Sequence, residues 1–262
     1  MASPLLNVGE MTAIRSKVLA TLTALCASVF VAHANPFGPN AVRYSVGDAM
    51  TSTGVDADAK GHVQALVRQR GDSDLQRLRV RVANLDSLTS YTLLAAVGDD
   101  TNLVAVTNFT TSVSGKGVLI YAQKRGSSTL PVNLEALTEI QTLAVANTNG
   151  EVILFVNLHE SASMKFEMAS VFDNTGSDPL AIGCVAVSAQ QGVTQFRLLA
   201  AGQSSTFTLC VNETPVATYQ ADFAGHINVG ALPLAAPSPV SFRKLSLRNA
   251  GDEVVLQSEV QK

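Results

Sequence analysis

Apolar and polar residues alternate along most of this chain in short runs. They fall at residues 63–67, 78–82, 91–97, 103–109, 117–122, 139–145 and 152–158, and again at 185–189, 195–199, 206–211, 217–223, 227–229, 241–247 and 253–259. A period of two sends successive side chains to opposite faces of a sheet, so these runs predict half-buried β-strands. Gly, Asn, Asp and Ser punctuate the intervals, and these are the residues that turns select. Seven short strands in each half predict an all-β protein of two tandem antiparallel β-sandwich-like repeats. Helix is expected as one turn near residues 134–138, while residues 161–169 tolerate either a helix or a strand linking the halves.

The division into halves rests on internal similarity. Residues 143–154 (LAVANTNGEVIL) align without a gap with residues 245–256 (LSLRNAGDEVVL), an offset of 102. Leu143/Leu245, Asn147/Asn249, Glu151/Glu253, Val152/Val254 and Leu154/Leu256 are identical. Each copy predicts a β-hairpin with Val145 opposite Leu154, Leu143 opposite Val156, and Leu247 opposite Leu256. The expected turns are type I′ at Asn149-Gly150 and type II′ at Gly251-Asp252, because these pairs tolerate positive φ. Upstream, residues 53–63 match residues 175–185 at an offset of 122, with six of eleven positions identical. Tyr91-Thr92-Leu93 and Phe207-Thr208-Leu209 correspond at offset 116, and Val113-Ser114-Gly115 and Phe223-Ala224-Gly225 at offset 110. The second repeat is shorter, and the differences fall in polar segments, where loops accept length changes.

The N-terminus carries the clearest functional signal. Arg15 and Lys17 form a basic region after Met11, residues 18–32 are apolar and uncharged, and Ala32-His33-Ala34 has the small-x-small form of a signal peptidase site. The organisation expected is therefore a signal peptide at 1–34, with Met11 a candidate start, an irregular lead-in at 35–46, repeat one at 47–158, a linker at 159–168 and repeat two at 169–262. The apolar run falls short of the roughly twenty residues a spanning helix needs. An exported protein with no membrane span in its mature chain is the expectation, located outside the cell, in the periplasm or in the envelope.

Composition narrows the function classes. The chain has 262 residues, a formal net charge of −3, 47% hydrophobic and 15% charged residues, and no tryptophan. A slightly acidic balance disfavours nucleic acid, which needs clustered Lys and Arg. The richest basic run, Arg68 to Arg81, alternates Arg77, Arg79 and Arg81 with Leu78, Val80 and Val82, which reads more simply as the solvated face of a strand than as a binding stripe. Cys26 leaves with the signal, so Cys184 and Cys210 remain, in a compartment where disulfides form. Their aligned positions in the first repeat are His62 and Leu94, so the fold cannot depend on a bond between them.

Searches for chemistry find little. His62, His159 and His226 share no metal-ligand spacing. Asp56 and Asp58 precede Gly61 in a fragment of a calcium loop, but Leu180 replaces the second acid in the other copy, so Asp56 and Asp178 read as turn acceptors. No serine-hydrolase elbow or P-loop is present, and Gly115-Lys116-Gly117 lacks a following helix. Tyr91 and Tyr219 fall at core phases, whereas Tyr44 and Tyr121 look freer. No catalytic, cofactor-binding or metal-ligating residue is assigned. The reading is a non-enzymatic binding, adhesion or envelope-structural protein with an extracellular or envelope ligand. The alternative is a secreted hydrolase with its site in the groove between the repeats.

Overall fold

The computed structural model describes residues 41–70, 73–98, 100–124, 127–131, 134, 136–233 and 242–260. The expected signal peptide and its cleavage site lie outside the described residues. The protein is all-β with antiparallel sheets, and no α-helix occurs among the described residues.

Strand β1 (Ala41–Ser52) is the hub. Residues 41–50 pair with β2 (Lys60–Arg70), and Thr51 and Ser52 then switch to β9 (Val152–Asn157). On its other flank, Ala41 to Ser45 pair with β10 (Lys165–Val171). From β2 the large sheet continues through β3 (Ser73–Ala83), β6 (Gly117–Lys124) and β7 (Ser127–Ser128). From β9 a second run continues through β8 (Ile140–Ala146), β4 (Ser90–Val97) and β5 (Val104–Thr110).

The other half has the same order of pairing. The large sheet extends from β10 through β12 (Ile182–Gln190) and β13 (Val193–Ala201) to β16 (His226–Pro233). A separate sheet runs β11 (Asp173–Asn174), β18 (Val254–Glu259), β17 (Lys244–Arg248), β14 (Thr206–Val211) and β15 (Thr214–Gln220). Strand β10 thus occupies the part of the sequence that tolerated either helix or strand. The expected helical turn is a 3-10 turn at Leu137–Glu139.

Alternation explains why these runs are strands. Val63, Ala65 and Val67 of β2, and Leu78, Val80 and Val82 of β3, are buried, while their neighbours face outward. The inward residues of both halves join one apolar cluster, which includes Tyr44, Leu143 and Leu154 from the first half and Phe196, Leu247 and Leu256 from the second.

The two hairpins keep the expected body register: Val145 faces Leu154, Leu143 faces Val156, and Leu247 faces Leu256. Their turns differ from expectation. Gly150 (φ 82°) and Asp252 (φ 64°) have positive φ, whereas Asn149 and Gly251 do not, so neither turn is a two-residue primed type. Each is a three-residue turn in which the N–H of Gly150 or Asp252 donates to the carbonyl of Asn147 or Asn249. A register shift beside each turn absorbs the extra residue. Local side-chain bonding prevails here, because Asn147 Oδ1 accepts from the N–H of Asn149 and of Glu151, at 3.0 Å each. Two-residue turns with positive φ at both positions do occur, at Gln191-Gly192 and Asn212-Glu213.

Candidate binding surface

The outward positions of the large sheet collect cations that are scattered in the sequence. Arg77, Arg79 and Arg81 point away from the core on β3, and a strand's rise separates each from the next by roughly 7 Å. Lys60 and Arg68 on β2, Arg43 on β1, Lys124 on β6 and Lys165 on β10 share that face. Against these eight described cations, the outward positions of the same strands carry one carboxylate, Glu167. A chain of net charge −3 therefore concentrates positive charge on one surface.

Four of these cations lie apart from any described carboxylate partner. Among the described residues, no carboxylate forms an ion pair with Arg68, Arg77, Arg79 or Arg81, in contrast to the second half. There Arg243 pairs with Glu139, Lys244 with Glu213, and Arg248 with both Glu213 and Asp252. Arg43 stands directly opposite Arg68, with Glu167 on its other flank. Like charges directly opposed across a ladder are destabilising. Arg79 is half-buried, and its Nε is shielded without an acceptor.

Apolar side chains are interleaved with the arginines. On β6, Val118 lies opposite Arg81 and Ile120 opposite Arg79, and both are about half exposed, at 55% and 51%. His62 flanks Arg81 on the β2 side and is exposed. The solvated-strand reading of Arg77, Arg79 and Arg81 describes their direction. Arg68 belongs to the same basic run of the sequence, whereas Arg43 lies outside it and is brought alongside Arg68 only by the pairing of β1 with β2.

The remaining candidates are structural or dispersed. Tyr44 is fully buried, contrary to the freer position expected, because β1 is the central strand and its even-numbered residues face the core. Tyr121 is partly buried against that core, and Tyr91 donates to no site: its hydroxyl accepts from the Asp86 N–H at 3.1 Å. Asp178 is buried and its carboxylate accepts from the N–H of Leu180 and of Gln203, as a turn acceptor should. At Asp56 the backbone carbonyl is the acceptor, from the Ala59 N–H and Ser52 Oγ. His159 is half-buried against the Thr138 carbonyl, and burial lowers its pKa from the ordinary histidine value. Cys184 and Cys210 are both buried thiols, with no disulfide between them. Gly115 of the Gly-Lys-Gly segment lies in the turn between β5 and β6, at φ 66°, where an added Cβ would meet the Leu85 carbonyl oxygen at 2.0 Å.

Among the described residues no group of three or more His, Cys, Asp and Glu converges to hold a metal, and no helix is long and apolar enough to cross a membrane. A cavity of about 260 Å³ lies where β1 and β2 meet β10 and β18, with Asp173 and Glu259 in its lining. Both carboxylates are exposed, and among the described residues neither forms a hydrogen bond or an ion pair. Comparison with protein-family models, with curated proteins and with solved structures finds no match to this chain.

Proposed function

We propose that the chain is an exported, non-enzymatic binding protein built from two duplicated β-sandwich modules, and that the basic outer face of its large sheet holds an anionic partner. The observation that carries this reading is the row Arg77, Arg79 and Arg81, joined by Arg68 and Arg43, with one carboxylate on the face. Positive charge concentrated on a sheet face attracts polyanions at long range and releases their counterions on contact. The shared pairing order of β2-β3-β6 and β12-β13-β16, and of β9-β8-β4-β5 and β18-β17-β14-β15, supports the duplication. The basic segment and Ala32-x-Ala34 pattern at the N-terminus support export.

Retention of the purified protein on a heparin matrix tests the binding. Elution should require added salt, and an Arg77→Ser, Arg79→Ser, Arg81→Ser variant with an unchanged melting curve should elute earlier. Passage of the wild-type protein through the column at low salt would sink the reading. Export is tested separately: mass spectrometry of the protein from its native host should find Asn35 at the mature N-terminus, whereas an intact Met1 or Met11 would contradict it.

A further inference from the structure

We propose that the anionic partner of this face is a phospholipid bilayer rather than a single soluble polymer. The inference rests on the reading of the face as an anion-binding surface and adds the partner's chemistry. Three observations carry it.

Charge alone would suit any polyanion, but the face is not purely polar. Val118 and Ile120 are exposed on β6 directly beside Arg81 and Arg79. A polymer strand of phosphates or sulfates offers these aliphatic side chains nothing. At a bilayer surface the guanidinium groups meet lipid phosphates, and adjacent aliphatic groups reach the boundary between headgroups and acyl chains.

Shape agrees with this choice. Neighbouring strands in a sheet turn by only about 20–25°. The arginine row on β3 and the aliphatic row on β6 therefore meet one flat surface together. Arg43 and Lys165 lie two and three strands away from β3 and turn progressively aside, so they contribute to the field rather than to contact. Beyond residues 122–124, which bond β7 and Thr129, no strand pairs with the outer side of β6 among the described residues, so Val118 and Ile120 stand at a margin of the sheet. The two cavities of about 260 and 270 Å³ are lined by residues other than Arg77, Arg79 and Arg81.

Outward positions of β2, β3 and β6 in the described residues carry no Phe or Tyr, so the His62 imidazole is the one aromatic ring there on which a nucleobase or sugar could stack.

The test is cosedimentation of the full chain with vesicles of phosphatidylglycerol and phosphatidylcholine in equal parts, beside vesicles of phosphatidylcholine alone and beside the heparin column. The protein should sediment with the anionic vesicles and remain in solution with the neutral ones. The Arg77→Ser, Arg79→Ser, Arg81→Ser variant should bind the anionic vesicles roughly 100-fold more weakly. A Val118→Thr, Ile120→Thr variant, which keeps β-branching and so the strand, should lose several-fold in vesicle affinity while its heparin elution is unchanged. Retention on heparin without vesicle binding would overturn the bilayer inference and leave the anion-binding reading standing. Vesicle binding untouched by Val118→Thr, Ile120→Thr would overturn the docking geometry, and absence of both kinds of binding would overturn both proposals.

Discussion

Tyr44 of β1 lies directly opposite Phe166 of β10, and the two are counterparts at the repeat offset of 122 residues. Their neighbours cross in the same way: Arg43 faces Glu167 and Ser45 faces Lys165, where Lys165 is the counterpart of Arg43 and Glu167 of Ser45. A local two-fold relation thus passes through the Tyr44–Phe166 pair, as in an isologous contact between identical units. Both side chains are buried, but only Tyr44 carries a hydroxyl, and among the described residues that oxygen has no hydrogen-bond partner. A buried polar group without a partner costs about 1–3 kcal/mol, so Tyr44→Phe should be no less stable than wild type and up to about 1 kcal/mol more stable. Urea denaturation of the two proteins at neutral pH decides it, and a loss of stability in Tyr44→Phe would show that the hydroxyl has a partner after all.

The same burial predicts a pH dependence. Desolvation raises the Tyr44 phenol far above its ordinary value, and raises Tyr91 and Tyr219 in the same direction. Below roughly pH 10 the folded and unfolded chains are equally protonated at these residues. Above it the unfolded chain loses protons that the folded chain keeps, so stability falls as pH rises. Tyr44→Phe should therefore lose less stability than wild type between about pH 9 and pH 11, with Tyr91 and Tyr219 sustaining part of the decline. Equal losses in the two proteins would mean that Tyr44 ionises in the folded state as readily as in the unfolded one.

Cys184 sits on β12 and Cys210 on β14, in different sheets. Both are buried thiols, and burial raises the pKa of Cys210. Thiolate is the reactive form, so neither should be alkylated in the native state, and both should be alkylated in denaturant. A reducing agent should leave the melting temperature unchanged. The number of labels in denaturant also reports whether residues 1–34 are retained, since Cys26 then adds a third.

What the sequence could reveal follows from how local each feature is. Alternation is a property of single strands, so Val63 to Val67 and Leu78 to Val82 were legible as strands with one buried face. The offset of 122 placed Asp56 beside Asp178 and Val63 beside Val185. Features that depend on two distant segments were hidden. Residues 42–46 read as a short strand in an irregular lead-in, and Tyr44 reads as free because nothing nearby shows that this strand runs on to Ser52 and pairs on both flanks. Arg43 and Arg68 are 25 residues apart and become neighbours only when β1 and β2 pair. Turn type failed for a different reason: Asn149-Gly150 favours a primed turn through backbone φ alone, whereas two bonds to the Asn147 side chain favour the longer one.

Those bonds also explain two of the repeated identities. In both hairpins the first asparagine accepts from two backbone N–H groups, and its Nδ2 donates to the glutamate four residues on, Glu151 or Glu253. The asparagine is thus the organising residue, and the glutamate is an exposed support. Asn147→Ala should cost about 1–2 kcal/mol, since two backbone donors lose their acceptor, as at a lost helix cap. Glu151→Gln keeps an acceptor at the surface and should stay within about 0.5 kcal/mol. Gly150 stands at φ 82° with open space where a Cβ would project, so Gly150→Val tests backbone conformation alone and should cost about 1–2 kcal/mol. Leu154 and Leu256 are fully buried, and truncating either to Ala should cost about 2–5 kcal/mol. Thermal and urea melts of these variants give the ranking leucine, then asparagine and glycine, then glutamate. A Glu151→Gln loss as large as that of Asn147→Ala would show that the carboxylate charge, and not the asparagine, holds the turn.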